Sequence, residues 1–390
     1  MPIFLRTAMA GAMLSTVLLA GAPMASAQEP FRIGAVLPFS GAFGVLGQNM
    51  RRGVDLAIEE RGSKVLDRQI EVIWEDSETK PQVAVQKTSR LLAAGIDTLF
   101  GAASSGETIA MMPLAASSKV PHLVTMSADD RITGQHKTRY TFRTSNNLGM
   151  ENVLVADQIK ADGLKKVYGV AADVGTTREG WYHIRSLISE NGVEIVGEDF
   201  PPIGSKDYAV IVDKILKSGA DAVVFVGAGN DTIGFLKQSH EVGLGEKARI
   251  MGPVLIDETI AKAVGPGTVG VMSALRYHAT LDNPENKRFV EAYRAKYGES
   301  PDWVAGEAYD GISWWLDVVE QTGSDDPEAW INAFAQSTRS NSIEGEKSMR
   351  ACDHQAAQGG IWGEGAKSGD DYGMTVTRLL PSTDVFVDCE

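Results

Sequence analysis

The sequence predicts an α/β protein of two lobes, each with a parallel sheet covered by helices. The 390 residues exceed what a single hydrophobic core usually holds, so two domains are expected. From residue 31 onward, short β-rich runs alternate with segments of helical periodicity, a pattern typical of parallel sheets with helices on both faces. The alternation restarts near Asn147, which indicates a second lobe.

The first lobe opens with a buried strand, FRIGAVLPF, and a helix with apolar residues at helical spacing, VLGQNMRRGVDLAIEE. The strand QIEVIWE comes next. It precedes a helix that starts at Pro81, because proline is favoured in the first helical turn. The strand TLFG, a helix from about Ser105 and the strand HLVTM continue the same rhythm.

The second lobe repeats this rhythm after Asn147. Its expected strands are KKVYGVAA, VEIVGEDF, DAVVFVG and ARIMG. Helices are expected before the first of these strands, from Thr177, at KDYAVIVDKILKSG and between DAVVFVG and ARIMG. The alternation again predicts a parallel sheet with helical connections.

Two late helices, NKRFVEAYRAKYG and AGEAYDGISWWLDVVEQTG, have no strand between them, so they are expected to return to the first lobe. The tail after about Ile343 then completes the second lobe, and the repeated crossings form a hinge. Trp314 and Trp315 lie on an amphipathic helix, and core packing is the favoured interpretation for both. The predicted domains are residues 28–146 with 276–342, and residues 147–275 with 343–390.

Residues 1–27 predict a secretory leader that is cleaved near Ala27. Arg6 supplies the positive charge, residues 8–21 form the apolar run, and residues 25–27 give the small-residue cleavage pattern. No later segment reaches the roughly 18 apolar residues of a membrane span, and no Cys stands at the cleavage point for a lipid anchor. The mature chain is expected to be free in an extracytoplasmic compartment.

The charge balance excludes nucleic acids and anionic membranes as partners. The formal net charge is −14, and loss of Arg6 with the leader makes it one unit more negative. No basic run reverses this repulsion.

The two cysteines, Cys352 and Cys389, are expected to form a disulfide, because an isolated pair in an oxidising compartment usually does. The bond would pin the C-terminal tail. A redox role is the weaker interpretation, since the sequence has no CxxC motif.

The segment GAASSGET predicts an anion site where a strand leads into a helix. Ligands of open α/β sheets bind outside the carboxyl ends of strands, where helix N-termini offer unpaired N–H groups and partial positive charge. Ser104, Ser105 and Gly106 combine small size with hydroxyl groups, so a small anion could reach the backbone. An ordinary Ser N-cap with Glu107 in the first turn explains the same residues equally well.

The next strand ends in TMSADD and favours the site over the simple cap. It places a hydroxyl at Ser127, a small residue at Ala128 and a carboxylate at Asp129 on the adjacent strand exit. One loop could bind a carboxylate while Asp129 binds an ammonium group. This pairing suits an amino acid or another small zwitterion.

Three further strand exits contribute candidates. Phe43 follows the first strand and could wall a pocket, while nearby Phe39 could simply cover the core. In DVGTTREG, Thr176 and Glu179 have capping-box spacing, and Arg178 could still face a cleft. The remaining candidates at these strand exits are Thr177, Gly229 and Asp231.

Catalysis is not expected. GAGNDT lacks the third Gly of a dinucleotide fingerprint, and no GxxxxGK[ST], HExxH or GxSxG motif occurs. The six His are scattered without metal-ligand spacing, so neither a metal nor a cofactor is predicted.

The chain resembles the type I periplasmic binding proteins of branched-chain-amino-acid-type ABC importers. The segments that carry the resemblance, which spans essentially residues 31–390, are VLPFSGAFGVLGQNMRRGVDLAIEE, DSETKPQVAVQ, FGAASSGET, VTMSADDRIT and DNPENKRFVEAYRAKYGESPDWVAGEAYDG. The resemblance implies two Rossmann-like lobes joined by a three-crossover hinge, with ligand trapped between them. It also implies a periplasmic location and delivery to a permease driven by ATP-binding subunits.

The resemblance further implies that Ser105, Ser127 and Asp129 occupy positions that bind a ligand's carboxylate and amine. Asp129 stands where the family has Thr. Thr177 stands where the second lobe usually contributes an aromatic residue, and Val254 where an acidic residue binds the amine. The late motif MRACDHQ is similar to a branch that also takes aromatic acids.

These observations predict a receptor for a small carboxylate-bearing solute, an amino acid or a similar compound first. An aromatic or other organic acid is the alternative within the same transport role. A ligand-sensing module that reports to a signalling partner is the alternative from another class.

Overall fold

The computed structural model describes residues 28–385 and residue 389. The expected leader and its cleavage near Ala27 lie outside the described residues. Among the helices that the structure describes, none has both the length and the apolar character to cross a membrane.

The first sheet contains six strands, which lie between residues 31 and 143: β1 Phe31–Leu37, β2 Lys64–Val65, β3 Arg68–Asp76, β4 Thr98–Gly101, β5 His122–Val124 and β6 Thr141–Arg143. Their order is β2-β3-β1-β4-β5-β6, and all pairs are parallel except β2 with β3. Helices α1 Gly44–Glu60, α2 Pro81–Ala93 and α3 Ser105–Ser117 connect them. β5 ends two residues before the end of the predicted strand HLVTM.

The second sheet begins after helix α4 Leu148–Ala161. Its parallel strands are β7 Lys166–Ala171, β8 Glu194–Asp199, β9 Ala222–Val226, β10 Arg249–Pro253 and β11 Met272–Leu275. The connecting helices are α5 Gly175–Glu190, α6 Ala209–Ser218, α7 Asn230–Glu241 and α8 Glu258–Val264.

The chain then returns to the first sheet through α9 Pro284–Tyr297, α10 Trp303–Thr322 and α11 Pro327–Phe334. A small antiparallel sheet follows, with β12 Thr338–Arg339, β13 Lys347–Met349 and β14 Ala356–Ala357. The last two strands, β15 Gly360–Ser368 and β16 Asp371–Leu380, pair antiparallel and extend the second sheet to β16-β15-β11-β10-β9-β7-β8.

Three passages of the chain connect the two sheets. The first lies between β6 and α4, the second between β11 and α9, and the third between α11 and β15. The predicted α/β class with two Rossmann-like lobes and a three-crossover hinge is therefore confirmed. The domain boundaries proposed from the sequence stay predictions.

Helix α10 closes the core of the first lobe. Trp314 and Trp315 are each 1% exposed, so core packing is the correct interpretation of this pair. Helix α1 lies directly against α10 at Gly53, where a Cβ atom would stand 2.2 Å from the Ala305 carbonyl oxygen. A side chain at this position would force the two helices apart.

The structure pairs Cys352 with Cys389, whose Cα atoms lie 6.2 Å apart. Cys352 belongs to the third crossover, so the pair ties the end of the described chain to the hinge region. Together with Asp353, the two cysteines form a close group of potential metal ligands. Because their sulfur atoms bind each other, this group offers no thiolate to a metal.

Candidate functional site

All predicted site residues lie at the carboxyl edges of the two parallel sheets. Phe43 follows β1, the GAASSGET segment follows β4, and the TMSADD segment follows β5, which is the neighbour of β4. The second-lobe candidates follow β7, β9 and β10, which are also neighbours. Strand topology therefore groups the first-lobe candidates together and the second-lobe candidates together.

Ser104 is the N-cap of α3. Its Oγ accepts a hydrogen bond from the Glu107 N–H at 3.3 Å, and the Glu107 carboxylate accepts one from the Ser104 N–H at 3.3 Å. This reciprocal capping box uses the Ser104 side chain to stabilise the helix. The capping interpretation of GAASSGET is thus correct for Ser104, and it leaves Ser105 and Gly106 for a ligand.

The next two residues present unused backbone donors. No acceptor among residues 28–385 binds the N–H of Ser105 or of Gly106. Both N–H groups belong to the first turn of a 13-residue helix, where the aligned peptide dipoles give partial positive charge. This helix start can bind a carboxylate.

The two neighbouring loops are tied together by hydroxyl groups. Ser105 Oγ accepts a hydrogen bond from the Asp129 N–H at 3.2 Å. Ser127 Oγ is 2.7 Å from Thr108 Oγ1 and donates to the Ala102 carbonyl oxygen at 3.0 Å. Ser127 is only 1% exposed, so its hydroxyl binds the neighbouring loop and its backbone alone remains for a ligand.

Arg143 fixes the orientation of the TMSADD loop from behind. This fully buried guanidinium donates to the carbonyl oxygens of Ser127 at 3.1 Å and Asp129 at 2.7 Å. Burial lowers the pKa of Arg143 to about 10, and the group stays charged at neutral pH. Because N–H and C=O point in opposite directions across a trans peptide, the N–H groups of Ala128 and Asp130 point away from Arg143.

The Asp129 carboxylate is bound by Arg131. Arg131 Nε lies 3.0 Å from Oδ1 and 3.1 Å from Oδ2, and the Arg131 N–H donates to Oδ1 at 2.9 Å. Burial alone would raise the pKa of Asp129, but the hydrogen bonds and charge of Arg131 outweigh it and lower that pKa. The aspartate is therefore ionised and already paired with a cation.

A pocket of about 100 Å³ joins this loop to the second lobe. Asp129 and Arg131 line it from the first lobe, and Thr176 and Glu179 line it from the start of α5. The charge of Glu179 acts on Arg131 across the pocket and raises the pKa of the guanidinium further, after the larger effect of Asp129. The pocket brings first-lobe candidates beside the second lobe.

The polar second-lobe candidates have partners inside that lobe. Thr177 Oγ1 donates to the Ala172 and Val174 carbonyl oxygens, and Asp231 accepts from the Gly204 N–H at 2.9 Å. Arg178 pairs with the Asp173 carboxylate at 2.6 Å and lies over the Phe200 ring. These side chains shape the loops of the second lobe, and the expectation that they contact a ligand stays a prediction.

The expected capping box of Thr176 and Glu179 is wrong. Helix α5 begins at Gly175, two residues before the predicted start at Thr177, and its N-cap Val174 makes no side-chain cap. The N-terminus of α5 is consequently uncapped by any side chain.

Three candidates remain without polar side-chain contacts. Phe43 is 36% exposed, which is compatible with a pocket wall. Gly229 is the N-cap of α7, with φ of 58°. Val254 has φ of 43°, a strained conformation for a β-branched residue of the kind that clusters at ligand sites.

The sequence analysis missed two residues that matter to this site, Arg131 and Arg143. Arg131 stands two positions after Asp129, and a charge of opposite sign so near could have identified it. Arg143 ends the strand β6 at a fully buried position, and no local pattern shows which carbonyl groups it holds.

Residues 30–370 match the sequence profile of a family described as "Periplasmic binding protein". The chain belongs to this family. The members of this family are substrate-binding transport proteins. The prediction that the protein is not an enzyme is therefore confirmed.

Individual relatives agree with this assignment. The binding protein is 28% identical over 309 residues to Leu/Ile/Val-binding protein homolog 6 of Brucella melitensis, covering 77% of this chain and 79% of the relative. An ABC transporter substrate-binding protein from Sphaerobacter thermophilus is 28% identical with a TM-score of 0.86, covering 91% of this chain and 98% of that protein. A solute-binding protein of R. palustris solved with benzoate is 26% identical with a TM-score of 0.79, covering 90% and 97%. The protein is therefore a solute-binding protein of the ABC transporter type.

Proposed function

We propose that the protein binds a small carboxylate-bearing solute in the periplasm and delivers it to an ABC permease with ATP-binding subunits. The observation that carries this proposal is the pair of adjoining loops after β4 and β5. They offer the N–H groups of Ser105, Gly106, Ala128 and Asp130, which have no acceptor among the described residues, around the Ser105–Asp129 hydrogen bond. Several convergent amide donors at a helix start favour a carboxylate.

An amino acid is the first candidate solute. Asp129 is ionised, and it can hold an ammonium group while the amide donors hold the carboxylate. To do so, it must exchange the guanidinium of Arg131, whose side chain is 51% exposed and free to move toward solvent. The curated relative named for leucine, isoleucine and valine binding supports this class.

An aromatic or other organic acid is the second candidate, and the Asp129–Arg131 pair specifically favours it. The pair is neutral as a unit, so a carboxylate without an amine meets no uncompensated negative charge. Thr177 and Val254 offer no aromatic or acidic side chain for an amino acid. The relative solved with benzoate supports this class.

A thermal-shift screen across amino acids, their amides and aromatic acids tests the proposal. A solute present at 100 times its dissociation constant should stabilise the fold by about 2.7 kcal/mol. Amides should fail where the matching acids succeed, because the amide donors select a carboxylate. If no acid shifts the unfolding temperature, or if amides bind as well as acids, the carboxylate site is wrong.

The sensing alternative predicts the same solute binding with a different partner. Uptake of labelled solute by cells with and without the gene separates the two roles, since only the transport role requires the protein for uptake. Mass measurement of the exported protein checks the periplasmic location and the cleavage near Ala27 at the same time.

A further inference from the structure

Arg276 binds residues of both lobes. It directly follows β11 at the start of the second crossover and is 5% exposed. Its Nε donates to Glu151 Oε1 at 2.5 Å, and its Nη1 donates to the Met126 carbonyl oxygen at 2.5 Å. Glu151 belongs to α4, which packs against the second sheet, whereas Met126 follows β5 in the first sheet.

The contact with Met126 reaches the candidate ligand loop itself. Met126 immediately precedes Ser127, so Arg276 and Arg143 together hold the carbonyl oxygens of residues 126, 127 and 129. With these carbonyl groups fixed, the N–H groups of the following residues are turned to the opposite side. Movement of Arg276 would shift the Met126–Ser127 peptide, which leads directly to the Ala128 N–H group of the ligand loop.

The contact with Glu151 fixes Arg276 to the second lobe. Glu151 is 2% exposed, and burial raises its pKa while the Arg276 charge opposes that rise. An ion pair this deeply buried is costly to separate, because either partner alone leaves an uncompensated charge. The guanidinium also lies 5.2 Å from the Trp303 ring at the start of α10. Arg276 therefore binds a buried carboxylate of the second lobe while it holds a carbonyl group of the first.

We propose that Arg276 is a positioning residue that couples the orientation of the ligand loop to the rotation of the lobes, an inference that rests on the proposed function. A solute bound to the loop stabilises the Met126 contact, and this contact biases the angle between the lobes. Because coupling is reciprocal, the lobe arrangement that keeps the Met126 and Glu151 contacts also strengthens solute binding.

The test measures the distance between the lobes directly. Spin labels are placed on cysteines introduced at Val45, which is 74% exposed, and Ile203, which is 67% exposed. These residues follow strands of the two different sheets, and the native cysteines are paired with each other. Pulsed electron paramagnetic resonance then gives the distance distribution without any solute. Arg276→Met should broaden or shift this distribution.

Arg68→Met is the matched control. Arg68 is 9% exposed, donates to the Glu29 and Pro30 carbonyl oxygens and pairs with Asp97, all within the first lobe. It should lower the unfolding temperature as Arg276→Met does, yet leave the label distances unchanged. Arg276→Lys keeps the charge beside Glu151 but has one nitrogen for two separated acceptors. It should therefore fold more stably than Arg276→Met and still alter the distances.

Calorimetry with benzoate and with L-leucine supplies the second readout. Affinity for whichever compound the unsubstituted protein binds should fall about tenfold in Arg276→Met and stay unchanged in Arg68→Met. Distances and affinity that match the unsubstituted protein, with only the unfolding temperature lowered, would overturn the proposal. If the unsubstituted protein binds neither compound, the proposed solute class is in question, and the label distances alone decide the role of Arg276.

Discussion

The guanidinium of Arg131 folds back onto the carboxylate of Asp129, with Nε between the two carboxylate oxygens at 3.0 and 3.1 Å. The residue that could hold a ligand's amine is thereby occupied by a tethered cation. An incoming ammonium group competes with a partner only two positions along the chain. The identity of the solute therefore depends on how readily this pair opens.

Replacing Asp129 by Asn distinguishes the two solute classes. An amino acid should lose about ten- to a hundredfold in affinity, because a charge-assisted hydrogen bond worth about 1.5–3 kcal/mol is removed. An aromatic acid should bind equally well or better. Calorimetry with the acids selected by the thermal screen gives the affinities.

Arg131→Gln is the matched control for Asp129→Asn, since it frees Asp129 and should leave amino-acid binding at least as strong. Unchanged affinity of an amino acid for the Asp129→Asn protein would exclude that solute class.

Ser127→Ala should lower stability more than affinity. The substitution removes the hydroxyl that bonds Thr108 and the Ala102 carbonyl oxygen inside the fold, which should cost about 1–3 kcal/mol of unfolding free energy. Urea unfolding measures that loss. The exposed hydroxyl of Ser117 bonds only the Leu114 carbonyl of its own helix, so Ser117→Ala serves as the control and should be nearly neutral. A Ser127→Ala protein of full stability but impaired binding would show that the hydroxyl contacts the solute.

The protein should lose stability in acid because His122 is buried without a charge. Burial lowers the pKa of His122 in the folded protein to about 4, and the hydrogen bond to the Gly101 carbonyl oxygen opposes part of this shift. Between about pH 6.5 and pH 4 the unfolded chain takes up a proton that the folded protein refuses. The free energy of unfolding should therefore fall progressively as the pH drops through that window, by about 3 kcal/mol in all. Above about pH 6.5, His122 should not change the free energy of unfolding with pH.

Urea unfolding at pH 7 and pH 4.5 measures the effect, with His122→Gln compared against the unsubstituted protein. The slope with pH should be smaller for His122→Gln, and replacement of the exposed His136 should leave the slope as it is. Equal slopes for all three proteins would mean that His122 is not the group responsible.

The Cys352–Cys389 pair should stabilise the mature protein. The cysteines are 37 positions apart, and closing a loop of that length is worth about 4 kcal/mol at most in the chain-entropy treatment. Replacing both by Ala should lower the unfolding free energy accordingly, and replacing either one alone should lower it as much. Two titratable thiols in the purified native protein would contradict the predicted bond.

Much of the fold follows from local sequence patterns. Trp314 and Trp315 lie on a segment with the apolar pattern of an amphipathic helix, and the apolar runs before Ser105 and Ser127 predict two neighbouring strands. The hairpin of β15 and β16 was expected only as a tail completing the second lobe. The positive φ of Gly369 at the turn between the two strands is compatible with a tight hairpin there.

The site was less predictable because its decisive contacts join distant residues. Ser105 and Asp129 follow adjacent strands, so topology alone brings their loops together. Arg276 reaches Met126 and Glu151 from far along the chain, and no spacing rule relates these three positions. The sequence places residues at a sheet edge, but the direction of each side chain depends on partners that only the folded chain supplies.

The close approach of α1 to α10 at Gly53 means that the core of the first lobe is completed only by a helix from late in the chain. The first lobe lacks its closing helix until Thr322 has been synthesised, because α10 follows the parallel strands of the second sheet in chain order. A nascent chain therefore keeps the face of α1 that contacts α10 uncovered until α10 has been made.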